Sequence, residues 1–341
     1  AYGSEMLAVT DDALARWPLA EAFPVHRSMQ SVTLDIILRT VFGMRDPSER
    51  EPFMRAITEL LDLGAWPPLL IPAMQRDLGR WSPWGRFLRA RERGDAMLYE
   101  SIRRRRAEGI EGRNDILSLL LAARDESGQP LSDAELRDEL VTLVVAGHET
   151  TATALSWALR WVLADPKLYR RLRAEVEPLA AKGPLVPEQV QKLELLDATV
   201  KESLRLVPVV MMVGRFVQHP IRLGGHDLPT QTFVAPNIVL AHRRDPAFPH
   251  PLAFDPDRFV GARTSPFEWF PFGGGVRRCI GASFAVHEMK MVLATLFART
   301  TLRLAPHQRL GPVRRAITMT PAGGVRVIVD VRSAQTTPVA A

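Results

Sequence analysis

The chain has 341 residues, with 44 basic and 38 acidic side chains and a formal net charge of +6 when histidine is counted as neutral. Hydrophobic residues make up 46% and charged residues 24% of the chain, which excludes disordered and fibrous proteins and permits a sizeable core. A single cysteine excludes an internal disulfide and a cysteine-rich zinc site.

Helical periodicity, broken by proline and glycine, predicts helices in the first two-fifths of the chain over 25–42, 51–63, 85–107 and 114–123. The densest positive runs are 103–106 and the cluster of Arg170, Arg171 and Arg173. These runs lie within helical patterns near glutamates, so we interpret them as solvated helix faces rather than a nucleic-acid surface. A mildly positive patch for an acidic protein partner stays open.

A long helix follows these elements. Ser132 and Glu135 form an S-x-x-E capping box, and helical periodicity then continues as far as Asp165-Pro166. The sequence therefore predicts one helix over 133–164, about 48 Å long at 1.5 Å per residue.

The hexapeptide AGHETT, residues 146–151, lies near the middle of that helix. Glycine and two β-branched threonines suit an uninterrupted helix interior poorly, so we expect a local opening of the helix here. The opening would place Glu149 and Thr150 beside a cavity, where they could hold water and relay protons. A zinc-protease H-E-x-x-H motif is excluded because residue 152 is alanine, and we interpret His148 as a surface or satisfied histidine.

Three more helices are predicted in the second half of the chain. The first two cover 166–182 and 194–206, and each ends near a proline or glycine. The last starts near Cys279, after a proline-rich irregular segment, and runs to residue 298.

Short strands are predicted between and after these helices. The segment 209–239 is rich in β-branched residues and contains a turn signal at Gly224-Gly225. Gly323-Gly324, which precede a β-branched run over 325–331, predict a C-terminal hairpin. The predicted fold class is therefore mainly α with a small segregated β region.

A charged cluster is expected near the second of those helices. Glu202 and Arg205, in the segment KESLR, are three residues apart and share a helix face. Arg258, in the segment PDRF, offers a second guanidinium to the same carboxylate. A buried glutamate with two arginines is costly to desolvate and very damaging to break. We therefore expect these residues to form a structural clamp rather than catalytic machinery.

The most informative segment is FPFGGGVRRCIG at 270–281, where three glycines, the lone cysteine and a fourth glycine precede an amphipathic helix. Glycines permit tight turns and close approach to a bulky flat partner, and a helix N-terminus stabilises a thiolate. A phosphate-binding loop is excluded, because the required Lys and Ser/Thr do not follow the last glycine. As a nucleophile, Cys279 would need a base such as His287, which lies about 12 Å further along the helix.

Two further interpretations of this cysteine differ in what they require of the neighbouring residues. A thiolate ligand to haem iron needs a soft donor, N–H groups near the sulfur and cations for the propionates, and the segment offers all three. An inert core cysteine would need neither the four glycines nor the adjacent Arg277 and Arg278.

Taken together, these motifs resemble the cytochrome P450 family of haem-thiolate monooxygenases. FGGGVRRCIG agrees with the family's F-x-x-G-x-x-x-C-x-G signature at Phe272, Gly275, Cys279 and Gly281. AGHETT is similar to its acid–alcohol motif, KESLR to its E-x-x-R motif and PDRF to its P-x-R-F motif, in the family's order and spacing. The resemblance covers essentially the whole chain and implies the cytochrome P450 fold, N-terminally incomplete.

The resemblance also implies a role for each motif residue. Cys279 would be the axial thiolate and metal ligand of a haem b group. Glu149 and Thr150 would be catalytic and deliver protons during the reduction of dioxygen. The remaining cofactor-binding residues would be Arg277 and Arg215 at the haem propionates, Ala146 and Gly147 beside the oxygen and substrate pocket, and Phe272 and Gly281 in the signature loop.

The implied reaction inserts one atom of O₂ into a hydrophobic small organic substrate and reduces the other to water. Electrons would come indirectly from NAD(P)H, through a ferredoxin or flavodoxin-type donor with its reductase, because the chain contains no flavin motif. We expect a monomeric, cytoplasmic, bacterial-type protein without a nucleic-acid partner. No membrane span is expected, because no stretch approaches the ~20 consecutive apolar residues that a span needs.

We expect a single domain over 1–341, whose segments are distal-side helices at 1–131, a central helix at 132–165, the E-x-x-R helices at 166–208, a small β region at 209–240, the haem-thiolate loop with the proximal helix at 254–298, and a C-terminal hairpin and tail at 299–341. Two alternatives to the monooxygenase are a haem-binding or truncated, catalytically silent relative, and a cysteine hydrolase. The intact Glu149-Thr150 pair argues against the first, and the lack of a nearby base argues against the second.

Overall fold

The computed structural model describes residues 2–64, 66, 69, 71–79, 81–315 and 317–333. The chain forms two compact units, the first made of Ala1–Ala15 and Arg27–Ala152 and the second of Arg16–His26 and Thr153–Ala341. The described residues form eleven α-helices and nine short strands, which confirms the mainly α fold class with a small β component. Among the described helices, none combines the length and the apolar character needed to cross a lipid bilayer.

The first unit is helical. It contains α1 (Gly3–Ala15), nearly all of α2 (Val25–Val41), α3 (Pro47–Gly64), α4 (Pro83–Glu108), α5 (Ile116–Ala122) and the first part of α6 (Asp133–Ala164). Apolar faces of α2 to α6 meet in one core cluster that includes Phe42, Leu98 and Leu140. The four helices predicted before the long one are confirmed, with ends that differ by a few residues.

The long helix α6 has the predicted bounds. At its start, the Ser132 N–H donates to Glu135 Oε2 at 2.8 Å and the Glu135 N–H donates to Ser132 Oγ at 3.2 Å. At its end, Asp165 leaves the helix and caps the next one, because its Oδ1 accepts the Lys167 N–H at 2.8 Å. Both ends of α6 are therefore specified by hydrogen bonds of adjacent side chains.

One arginine of the run 103–106 contradicts the prediction of a solvated face. Arg105 is only 4% exposed, pairs with Asp115, and donates from Nη2 to the Phe42 carbonyl at 2.8 Å. It lies seven residues after the buried Leu98 in α4, so the two share a helix face. Helical periodicity thus buries this arginine, and the paired carboxylate compensates its charge.

The helices of the second unit are α7 (Pro166–Ala180), α8 (Pro187–Val190), α9 (Glu194–Leu206), α10 (Ile238–Ala241) and α11 (Ala282–Arg299), together with the end of α6. Helix α11 packs against α7, α8 and α9 and is buried along most of its length. The predicted helix 194–206 is confirmed residue for residue. The predicted last helix begins at Ala282 rather than near Cys279, because a turn occupies the intervening residues.

The strands of the second unit are β1 (Ala22–Pro24), β2 (Arg215–Phe216), β3 (Ile221–Leu223), β4 (His226–Leu228), β5 (Phe233–Val234), β6 (Thr300–Leu304), β7 (Pro312–Arg315), β8 (Thr318–Pro321) and β9 (Arg326–Arg332). One sheet has three antiparallel strands in the order β1-β9-β6. Three two-stranded antiparallel ladders pair β2 with β5, β3 with β4, and β7 with β8. The β3–β4 pair confirms the turn predicted at Gly224-Gly225.

The C-terminal hairpin predicted at Gly323-Gly324 is wrong. These glycines join β8 to β9, which lie in different sheets. Strand β9 is the middle strand of its sheet and buries Val327, Ile328 and Val329 in succession. The β-branched run therefore reflects long-range pairing with β1 and β6 rather than a local turn.

Candidate functional site

The single cysteine lies in a closed loop at 270–281, the cysteine loop, just before α11 in the second unit. The Gly273 N–H donates to the carbonyl three residues earlier at 2.9 Å. Gly273 and Gly275 have φ angles of +70° and +65°, a left-handed conformation that glycine adopts without steric cost. The Cys279 N–H donates to the Phe272 carbonyl at 3.0 Å. The glycines therefore permit a tight turn that presents Cys279 at the entrance to the helix.

The thiol of Cys279 is exposed, so the interpretation as an inert core cysteine is wrong. The apolar side chains of Val276 and Ile280, on either side of it in sequence, are almost fully exposed, and Arg277 is exposed as well. A soft sulfur donor beside exposed aliphatic and cationic side chains fits a haem group, which offers iron, an apolar macrocycle and anionic propionates. The donor set present in the cysteine loop therefore fits the predicted cofactor.

The predicted clamp is present in the second unit. Glu202 and Arg205 are both 0% exposed, and Arg205 donates to the two carboxylate oxygens at 2.6 and 2.8 Å. Arg258 Nε donates to Glu202 Oε1 at 3.2 Å, and the Asp255 N–H donates to the same oxygen at 2.8 Å. The other N–H groups of Arg205 donate to carbonyls of the irregular segment that follows α10, those of His242, Pro251 and Ala253. The clamp therefore ties α9 to this segment.

His242 belongs to the same cluster, although the sequence analysis did not identify it. Its side chain is 0% exposed, with Nδ1 3.2 Å from the Arg205 carbonyl and Nε2 2.9 Å from the Phe270 nitrogen. The sequence signal that could have revealed it is weak, because a histidine after a short apolar helix has no fixed meaning.

The acid–alcohol segment lies in the first unit, and the local opening expected there is wrong. Helix α6 is continuous through 146–151. The Thr150 hydroxyl donates to the Ala146 carbonyl at 2.6 Å, which satisfies this polar side chain within an intact helix. Glu149 is half-buried, and its Oε2 accepts a hydrogen bond from Gln30 Nε2 at 2.6 Å. This partner lies 119 residues away in α2, and no local pattern predicts it.

His148 and Gly147 have structural explanations. His148 is 4% exposed, and its Nδ1 lies 3.2 Å from Thr33 Oγ1, which confirms the interpretation as a satisfied histidine. At Gly147, an added Cβ would lie 3.1 Å from Ile37 Cδ1. Glycine therefore permits the close approach of α2 to α6 at this point.

The other predicted site residues occupy defined positions. Arg215 lies in β2, is half-buried, and donates from Nη1 to the Gly214 carbonyl at 2.8 Å. Phe272 contacts Trp269 edge-on, with ring centroids 6.4 Å apart. Gly281 lies beside the thiol, since an added Cβ would be 3.9 Å from Cys279 Sγ. The second unit thus groups the signature residues in one loop, while the first unit holds the acid–alcohol residues.

The base required by a cysteine hydrolase has another partner. His287 lies in α11, and its Nδ1 is hydrogen-bonded to the side-chain amide of Gln191. A cysteine nucleophile therefore gains no base from this residue.

Comparison with known sequences gives a consistent assignment. The cytochrome P450 family model matches residues 6–325. A Mycobacterium tuberculosis protein named cytochrome P450 135B1 is 40% identical over 319 residues, which cover 93% of this chain and 66% of that protein. Cytochrome P450 137 of the same species is 37% identical over 319 residues, which cover 93% of this chain and 64% of that protein. The chain therefore spans slightly less than two thirds of the length of these curated relatives.

Solved structures have the same fold. The heme domain of cytochrome P450DA superimposes with a TM-score of 0.83 at 27% identity, covering 97% of this chain and 73% of that structure. The retinoic acid-bound cyanobacterial CYP120A1 superimposes with a TM-score of 0.80 at 30% identity, covering 96% of this chain and 74% of that structure.

Proposed function

The chain belongs to the cytochrome P450 family, and from this premise we propose that it is a haem-thiolate monooxygenase. Its reaction would insert one atom of O₂ into a hydrophobic small organic substrate and reduce the other to water. Electrons would come from NAD(P)H through a ferredoxin or flavodoxin-type donor with its reductase, and the protein would act as a monomer. The retinoic acid bound by one structural neighbour supports the choice of a hydrophobic substrate.

We propose that the cofactor is haem b. When bound, the haem would supply the activation of dioxygen, and a thiolate ligand would favour cleavage of the O–O bond. Cys279 would provide that thiolate. The other residues proposed to border the cofactor are Arg277 and Arg215 for the propionates, Ala146 and Gly147 for the oxygen and substrate pocket, and Phe272 and Gly281 for the shape of the cysteine loop.

Glu149 and Thr150 would move the protons that the reaction consumes. The Thr150 hydroxyl donates its proton to the Ala146 carbonyl at 2.6 Å, so its oxygen can accept a hydrogen bond from water. The amide of Gln30 holds the Glu149 carboxylate in one orientation, at 2.6 Å. A fixed carboxylate next to a hydroxyl can take a proton from water and pass it on.

The observation that carries the proposal is the exposed thiol of Cys279 in a glycine-rich turn before a buried helix. Its test is the absorption spectrum of the haem-loaded, reduced chain under carbon monoxide. We expect the Soret band at the far-red position typical of thiolate ligation. A band at the position typical of histidine ligation, or a chain that binds no haem, would refute the proposal.

Three variants make the spectrum specific for the sulfur. Cys279→Ala and Cys279→Ser should both lose the red-shifted band, because neither side chain supplies a thiolate. Ser283→Ala makes a comparable change at an exposed position in the first turn of α11 and should keep the band. Retention of the band in Cys279→Ala would show that another residue binds the iron.

A catalytically silent haem-binding relative would give the same spectrum as a monooxygenase. The two differ in turnover, which can be measured with a ferredoxin, its reductase and NADPH. Retinoic acid serves as the first probe, because a structural neighbour binds it. A spectral shift on its addition, together with an oxygenated product, supports the monooxygenase. Haem loading without NADPH consumption for any probe in a hydrophobic ligand series would favour the silent relative.

A further inference from the structure

His242 connects the buried clamp to the loop that carries the cysteine. The residue immediately follows α10, and its side chain is 0% exposed. Its two ring nitrogens contact backbone groups of two different segments, the carbonyl of Arg205 in α9 and the N–H of Phe270 at the start of the cysteine loop. No other part of its ring is polar, so these two contacts account for its hydrogen-bonding capacity.

The two contacts fix the protonation state of the ring. The Arg205 carbonyl can only accept, so Nδ1 carries a proton and donates it over 3.2 Å. The Phe270 N–H can only donate, so Nε2 is unprotonated and accepts over 2.9 Å. Burial, and then the charge of Arg205, lower the pKa of His242 to about 4, which agrees with a neutral ring near neutral pH.

The link to Arg205 runs in both directions. While His242 Nδ1 donates to the Arg205 carbonyl, the Arg205 guanidinium donates to the His242 carbonyl at 2.8 Å. The ring also packs edge-on against Phe270 and Phe248, with centroids 5.4 and 6.2 Å away. The imidazole therefore has one orientation relative to α9, and its Nε2 holds one backbone group of the cysteine loop.

From Phe270, hydrogen bonds lead on to the sulfur-bearing residue. The Phe270 carbonyl accepts the Gly273 N–H at 2.9 Å, and the Phe272 carbonyl accepts the Cys279 N–H at 3.0 Å. We propose that His242 is a positioning residue, whose imidazole holds the cysteine loop against the Glu202–Arg205 pair and so fixes the placement of Cys279. That Cys279 is an iron ligand rests on the proposed function, whereas the effect of His242 on the conformation of the loop does not.

Two isosteric substitutions separate the contacts. In His242→Gln the side-chain oxygen can reach the position of Nε2 and accept from Phe270, whereas in His242→Asn the amide nitrogen can take the place of Nδ1 and donate to Arg205. If the role of His242 were purely structural, the effect of each variant on the cysteine loop would simply follow that variant's loss of global stability. The proposed role makes the asparagine variant worse at the cysteine loop, because only it loses the acceptor for the Phe270 N–H.

Hydrogen exchange of the 341-residue chain without haem tests the loop directly. In His242→Asn we expect amide exchange over 270–279 to accelerate on the order of tenfold, the effect of losing one buried hydrogen bond, while α9 stays protected. His242→Gln should stay within about threefold of wild type by the same measure. His226→Asn, at an exposed histidine in β4, is the matched control and should change nothing in this segment. Unchanged exchange over 270–279 in His242→Asn would overturn the proposal.

The carbon monoxide spectrum of the loaded variants is the second measurement. We expect a larger fraction of the far-red thiolate band in His242→Gln than in His242→Asn at equal global stability. Equal loss in the two variants would overturn the positioning role. If wild type itself lacks that band, the proposed function fails instead, and the exchange experiment alone decides the role of His242.

Discussion

Two glutamates on helices of this chain show how differently one side chain can be held. Glu202 in α9 is 0% exposed and accepts from the guanidinium groups of Arg205 and Arg258 and from the Asp255 N–H. Glu149 in α6 is half-buried and accepts from a neutral amide. The first carboxylate is fully enclosed by cationic and backbone donors, whereas the second is half-buried and bonded to an uncharged donor.

The difference separates residues that support the fold from residues available for chemistry. Around Glu202, Arg205 also donates to three carbonyls of the irregular segment after α10, so a change there reaches far along the chain. Around Glu149, the neighbouring Thr150 is bonded within its own helix, so a change there stays local. We therefore expect substitutions in the first region to reduce stability and those in the second to alter turnover.

The largest effect is expected for Glu202→Ala. Removing one partner of a buried ion pair leaves the other charge uncompensated, which costs about 3–5 kcal/mol. Urea unfolding of the full chain would measure the loss, and haem loading should fall with it. Glu194→Ala, at an exposed position of the same helix, is the control and should cost less than about 1 kcal/mol. A Glu202→Ala protein with full haem loading and wild-type stability would show that the ion pairs of Glu202 do not support the fold.

A buried carboxyl without such partners sharpens the comparison. Glu288 in α11 is 1% exposed, and its Oε1 has no hydrogen-bond partner among the described residues. Burial raises the pKa of this carboxyl well above its usual range. The folded state thus binds the proton more tightly than the unfolded state, so the stabilisation is complete below the unfolded pKa and is lost as the pH rises towards the folded pKa.

We therefore expect Glu288→Gln to be more stable than wild type at pH 8, by about 1.4 kcal/mol for each unit by which the pKa is raised. At pH 4.5 the gain should almost disappear, because the wild-type carboxyl is then neutral in the folded state. Thermal or urea unfolding at the two pH values measures both predictions. A gain that does not depend on pH would show that the pKa of Glu288 is the same in the folded and unfolded states.

The predictable parts of this molecule are those encoded by neighbouring residues. The bounds of α6 followed from Ser132, Glu135 and Asp165, whose side chains cap backbone groups close by in sequence. Residues at a distance were missed, as the amide that holds Glu149 and the partners of β9 show. The expected opening of α6 is wrong for another reason. Threonine has a low helix propensity, but the Thr150 hydroxyl is hydrogen-bonded to a carbonyl of the helix itself.

A moderate effect is expected for Gln30→Leu. The variant removes the donor to Glu149 while keeping a side chain of similar size, and a typical hydrogen bond contributes about 1 kcal/mol. Urea unfolding should show that loss, and the ratio of peroxide to product should rise because the carboxylate is no longer fixed. Ser31→Ala, at the exposed neighbouring position, should change neither quantity. An unaltered ratio in Gln30→Leu would mean that the amide does not orient the acid for proton transfer.

The smallest effect on stability, and the clearest on chemistry, is expected for Thr150→Ala. Losing the hydroxyl bond within the helix is offset by the better helix propensity of alanine, so stability should change by less than about 0.5 kcal/mol. NADPH and O₂ consumption should continue, with more peroxide and less product, and Thr150→Ser should restore coupling because it keeps the hydroxyl.

Thr142→Ala is a closely matched control, since the Thr142 hydroxyl makes the same bond in the same helix, to the Asp138 carbonyl at 2.8 Å. If Thr150→Ala and Thr142→Ala give equal coupling, the hydroxyl at residue 150 has no part in proton delivery. If Thr150→Ala unfolds as readily as Glu202→Ala, then the acid–alcohol segment supports the fold as strongly as the clamp does, and the division between the two regions is wrong.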